Sequence, residues 1–192
     1  MTKKWKVSVN APLIIGLAAA AALVLLLDSL SGGSVNRMLA ARFTSWSDLL
    51  MYPRLVLHVL AHQNLAHFTA NFILILAIGP LVEEKYGSGR LAIMMLVTAF
   101  ATGLIAVFFN VSLIGASGLV FMLILLASFA NARNGTIPLT FILVALVYIG
   151  NEVVTGIIAT DNVSQLAHIV GGLCGSCFGF TEQGRGLKST FC

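Results

Sequence analysis

Residues 62–82 read HQNLAHFTANFILILAIGPLV, an unbroken run without Asp, Glu, Lys or Arg. At 1.5 Å per residue, about 20 apolar residues in a helix cross the roughly 30 Å hydrocarbon core of a bilayer. Backbone polar groups have no water to bond there, so a spanning segment of this composition must be helical. One end is nevertheless polar: His67 and Asn71 lie one helical turn apart and share a face, with His62 just before them. Ionisable and polar groups at membrane depth are costly and mark function by default.

Five more apolar segments flank this one, at roughly 11–29, 91–110, 117–131, 137–158 and 165–180, the fourth and sixth of the set being short. The composition agrees: of 192 residues, 58% are hydrophobic and 9% charged, whereas a soluble domain carries about a quarter charged residues. The expected fold is all-α, a polytopic bundle of six transmembrane helices over residues 11–180, between a cytoplasmic tail at 1–10 and another at 181–192. Gly32-Gly33, Gly87-Ser88-Gly89, Asn134-Gly135 and Asp161-Asn162 supply the turns. The formal charge of +4 does not imply nucleic acid, because Lys and Arg are scattered over segment ends instead of forming a stripe. Cys174 and Cys177 make a C-x-x-C, but in a glycine-rich apolar run it reads as helix packing.

Orientation follows from those charges. With the N-terminus inside, Lys3, Lys4, Lys6, Lys85, Arg90, Arg133, Arg185 and Lys188 fall inside and Arg37, Arg42 and Arg54 outside, as the positive-inside rule requires. Lys3, Lys4 and Lys6 ahead of an apolar stretch ending near Ser29-Leu30-Ser31 also look like a signal peptide. Removing that helix improves no charge count, so it is read as permanent. The connection from about 30 to 61 interleaves Met38, Phe43, Trp46 and Tyr52 with Arg37, Arg42 and Arg54, which suits interfacial depth.

Parity then brings the polar residues together, since the second, fourth and sixth spans all start at the outer face. His67 and Asn71, Gly115-Ala116-Ser117-Gly118 and His168 thus share one leaflet. A fourth helix of about 15 residues covers only about 22 Å, so Ser117 sits below the outer surface. The stretch from Asn110 to Ala116 must dip to reach it, which requires a water-filled cavity or protein around it. Gly171 and Gly175, four apart, offer a bare helix face for close approach. A serine hydroxyl needs a neutral imidazole to take its proton, so Ser117 and His168 form a candidate dyad. Asp28, Asp48, Glu83, Glu84 and Glu182 are placed elsewhere, and Glu152 and Asp161 are the only acids near by position. His67, Asn71 and a backbone N–H near Ser117 suit an oxyanion hole. His58 and His62 stand at metal-ligand spacing, but without an H-E-x-x-H glutamate or another ligand nearby a metal is not expected, and no other cofactor is implied.

At these residues the chain resembles the rhomboid family of intramembrane serine proteases in its compact six-span bacterial form. The resemblance rests on His62-x4-His67-x3-Asn71, Gly115-x-Ser117-Gly118 and Ala167-His168-x2-Gly171-x3-Gly175, and covers essentially residues 11–180. It implies Ser117 as nucleophile, His168 as general base, and His67, Asn71 and the Ser117 N–H around the oxyanion. It also implies structural roles for Glu83, Arg54, His58 and His62, a membrane-embedded first loop, and a gate near Tyr148, Asn151, Glu152 and Val153. Two positions depart from the family pattern. Phe121 stands where a tyrosine often stacks on the catalytic histidine, and Pro53-Arg54 replaces a Trp-Arg pair. The implied partners are the lipid bilayer and other proteins' transmembrane segments, preferably with small or helix-destabilising residues near the cleaved bond. A rhomboid-like protein that only binds client helices is the alternative, marked by loss of Ser117 or His168, and both are present. A small transporter is disfavoured because no half of the chain repeats.

Overall fold

The computed structural model describes residues 8–130, 132, 136–158 and 163–190, with side chains left out at 148, 149, 151–158, 163, 164 and 184–190. The side chains of the expected gate residues Tyr148, Asn151, Glu152 and Val153, together with Arg133 and Asp161, lie outside the described set. The chain is all-helical: α1 (Pro12–Leu30), α2 (Ser34–Leu39), α3 (Met51–Leu57) running into a 3-10 turn at His58–Leu60, α4 (Leu65–Tyr86), α5 (Ser88–Phe108), α6 (Ser117–Ser128), α7 (Leu139–Ile158) and α8 (Val163–Thr190). Among the described residues, α1, α4 and α5 are long and apolar enough to cross a membrane, and α6 is a shorter apolar helix.

Local chemistry sets the helix ends. Pro12 opens α1, where a missing N–H costs nothing. The next two donors of α1 are taken by a residue far along the chain: Leu13 and Ile14 donate their N–H groups to the two Glu83 carboxylate oxygens, each at 3.0 Å. The Ser88 hydroxyl adds a 2.6 Å hydrogen bond to the same carboxylate. The second apolar segment, read from residue 62, becomes helical only at Leu65, because the Asn64 side chain accepts the His67 N–H at 2.9 Å and caps α4. His62 therefore sits in the loop before the helix.

Helix α6 is the centre of the bundle, buried on every side from Gly118 to Leu126 and packed by α4, α5, α7 and α8. Its 12 residues make it far shorter than α4 with 22 or α5 with 21. At its C-terminal end the Lys85 ammonium donates to the Phe129 carbonyl at 2.8 Å and to that of Ala130, a cation on the negative end of the helix dipole. At its other end the chain from Phe109 to Ala116 runs back without helix and pairs with the first connection through the Ala41–Leu113 bridge, with N–H to O distances of 3.0 and 2.9 Å. That first connection is itself folded against α5: a β-carbon on Gly103 would overlap the Leu55 carbonyl oxygen.

Glu83→Ala leaves two α1 donors and the Ser88 hydroxyl without their acceptor, an expected loss of about 2 kcal/mol. It should appear as a lower Tm in detergent, with Glu83→Gln, which keeps one acceptor oxygen, losing less; an unchanged Tm in the alanine variant would show that the cap is not needed.

Candidate active site

Ser117 is the first residue of α6, and the two residues before it are tied down by backbone and ring contacts. The Gly115 N–H donates to the His58 carbonyl at 3.0 Å. The Ala116 N–H points at His62 Nε2 from 3.4 Å. The other His62 nitrogen, Nδ1, stands 3.1 Å from the Leu60 carbonyl. A carbonyl only accepts, so the proton belongs on Nδ1, and Nε2 is left as the acceptor that Ala116 requires. His62 is fully buried, edge-on to the rings of His67, Phe68 and Phe72.

Gly115 has φ +116°, a conformation that side-chain-bearing residues rarely adopt. A β-carbon there would also stand 2.7 Å from Cε1 of His67 and 3.8 Å from Nδ2 of Asn71. The start of α6 thus lies directly against the polar face of α4. Asn71 is 6% exposed, and its Nδ2 is buried without a hydrogen-bond partner. An orphaned buried donor costs about 1–3 kcal/mol unless something supplies an acceptor.

The third group arrives on α8. A β-carbon on Gly171 would overlap the Gly118 carbonyl oxygen, and one on Gly175 that of Met122. A β-carbon on Gly118 would itself meet Thr102 Cγ2 at 2.8 Å. The backbones of α6 and α8 therefore touch, which fixes their relative height. His168, one turn before Gly171, stacks its ring on that of Phe121 with centroids 4.6 Å apart and planes 11° apart. Phe121 is one turn along α6 from Ser117.

The remaining sequence candidates lie around this cluster. His58, 1% exposed, faces the Arg54 carbonyl with Nδ1 at 3.3 Å and the Thr102 hydroxyl with Nε2 at 3.4 Å. Both His58 and His62 direct their ring nitrogens at protein groups. Arg54 donates from Nε to the Met38 carbonyl at 2.8 Å and pairs with Asp48 at 3.2 Å, which pins the first connection. The Thr44 hydroxyl, the Leu50 N–H and the Arg54 charge hold the Asp48 carboxyl below its ordinary range. Glu83 is at the far end of α4. Sequence reading missed Asn64, which the rule of a capping Asn before an apolar run would have found, and also Thr102, Asp28 and Asn36.

A bundle of long apolar helices that turns large hydrophobic side chains such as Leu26, Leu76 and Leu96 outward is that of an integral membrane protein. The chain belongs to the rhomboid family: residues 50–185 match the Rhomboid domain. The chain is also 29% identical over 180 residues, 88% of its length, to the rhomboid protease GluP of Bacillus subtilis (strain 168). It spans about a third of that relative, 34% of its length.

Gly115→Ala should remove any activity of this site, because the new methyl group meets the His67 ring in a backbone conformation it does not favour. Wild-type turnover in that variant, measured beside its Tm, would show that the loop has another way to pass α4.

Proposed function

We propose that the chain is an intramembrane serine endopeptidase acting through a Ser117–His168 dyad. The observation that carries the reading is the His168 ring lying flat on Phe121, one turn from Ser117, across the glycine contact of α6 and α8. Phe121 holds the ring by its face alone, since it has no hydroxyl to offer. The match to rhomboid proteins and the likeness to a rhomboid protease supply the reaction class.

In this reading six helices, α1 and α4 to α8, cross the membrane with both termini in the cytoplasm, and the connection holding α2 and α3 is embedded in the outer leaflet. The short α6 begins within the membrane, and the site opens outward. The membrane would be that of a bacterial cell. A substrate transmembrane segment enters beside α7 and unwinds locally to expose a peptide carbonyl. The Ser117 hydroxyl oxygen attacks that carbon while His168 takes the hydroxyl proton. The negative charge that develops on the carbonyl oxygen meets Asn71 Nδ2, His67 and the Ser117 N–H. Collapse of the tetrahedral adduct breaks the C–N bond, and His168 returns the proton to the leaving amine. Water, activated by His168 in turn, then hydrolyses the ester on Ser117.

The buried donor of Asn71 supports its part in this scheme, because a substrate oxyanion is the acceptor it lacks. His58, Arg54 and Glu83 act at a distance by holding the loops and helix ends.

Purified protein in liposomes, given a panel of transmembrane-segment substrates, should cleave those with small or helix-destabilising residues near the bond. Ser117→Ala and His168→Ala should each lose at least about a thousandfold in turnover. Asn71→Ala should lose about a hundredfold in kcat. Absence of cleavage together with absence of fluorophosphonate labelling at Ser117 in the wild type would overturn the protease reading in favour of helix binding.

A further inference from the structure

We propose that Asp28, at the outer end of α1, is a positioning residue for the site, acting through Asn36 and His62 on the segment that presents Ser117. The inference deepens the protease reading and rests on it for its effect on turnover. Asp28 is 8% exposed and makes no ion pair among the described residues. A buried carboxylate needs donors, and one residue supplies both: the Asn36 backbone N–H reaches Oδ1 at 2.7 Å, and the Asn36 amide Nδ2 reaches Oδ2 at 2.7 Å. The second Nδ2 hydrogen goes to the His62 carbonyl at 2.8 Å. Every donor of Asn36 but none of its side-chain acceptor capacity is thereby used, and Asn36 Oδ1 is buried without a partner.

That imbalance explains why an acid stands here. Turned over, the Asn36 amide would set its oxygen against both the Asp28 carboxylate and the His62 carbonyl, two repulsive contacts between acceptors. The carboxylate therefore locks the amide in the one orientation that can donate to His62. Beyond His62 the chain of contacts divides. Its ring receives the Ala116 N–H beside Ser117, and two residues further on Asn64 caps the helix that carries His67 and Asn71. One carboxylate thus orders both the nucleophile's approach and the start of the oxyanion helix.

An exchange of the two side chains separates positioning from mere stability. In the double variant Asp28→Asn with Asn36→Asp, the new amide at 28 can donate to the new carboxylate at 36, and its oxygen can still accept the backbone N–H. The clamp between α1 and α2 is restored, but the His62 carbonyl meets a carboxylate oxygen in place of a donor. In the full-length protein, Asp28→Asn should lower kcat about tenfold with KM within about twofold, slow fluorophosphonate labelling of Ser117, and speed hydrogen exchange at the Ala116 amide. The exchanged pair should recover part of the Tm lost in Asp28→Asn, its new carboxylate still facing the His62 carbonyl, while kcat and Ala116 exchange remain no better than in Asp28→Asn. Recovery of kcat together with Tm in the exchanged pair, or wild-type kcat and exchange in Asp28→Asn, would overturn the proposal. Ala116 exchange is read without substrate, so it tests the relay even if the wild type cleaves nothing and labels nothing, which would count against the protease reading alone.

Discussion

The backbone contact between Gly118 and Gly171 is the constraint on which the rest of the bundle depends. Lipid chains are as apolar as leucine, so the helices of an integral membrane protein gain little by hiding apolar side chains from one another. What they gain is close packing, and α6 and α8 reach it by omitting side chains where they meet, at Gly118, Gly171 and Gly175. With no side chain between them, the helices can neither slide nor rotate without collision. The height of His168 relative to the first turn of α6 is then set by backbone, and its ring stacks on Phe121.

Around this seam, polar groups divide by whether the protein has answered them. His58 and His62 direct their nitrogens at protein groups and act as struts. Asn71 leaves a buried donor open. Gly115 holds a backbone conformation that brings the chain against His67. An open buried donor at Asn71 and the left-handed backbone of Gly115 both fall near Ser117, while at the opposite end of the bundle Glu83 and Lys85 cap helix termini.

Much of this was legible in the chain because it rests on length and period. The segments read at 11–29 and 91–110 differ by at most three residues from helices Pro12–Leu30 and Ser88–Phe108, since apolar runs of that length in lipid have one solution. The glycine spacing of 171 and 175 announced a close helix face, and family resemblance supplied roles that spacing alone could not. What stayed hidden were contacts between positions far apart in sequence. Leu13 and Glu83 are 70 residues apart, and Lys85 and Phe129 are 44 apart. Asp28 looked remote from the site because its influence passes through an asparagine in the first connection, and periodicity carries no signal for such a bond. The start of α4 was misplaced by three residues for a related reason: hydropathy continues through His62, but a single Asn64 cap decides where the helix begins.

The first connection and the chain leading into α6 answer each other's irregular backbone. Peptide groups outside a helix need partners from protein or water, and each non-helical stretch near Ser117 is answered by the other. Ala41 and Leu113 exchange both hydrogen bonds, Gly115 donates to the His58 carbonyl, and Ala116 donates to the His62 ring. Gly103 lets the Leu55 backbone seat itself on α5, so the connection is held from below as well as from the side. The two segments are therefore one folded unit that leads into the 12-residue α6. The order of dependence runs from the glycine seam, which fixes α6 against α8, to the paired loops that deliver the chain to it, and then to His67 and Asn71, against which Gly115 packs.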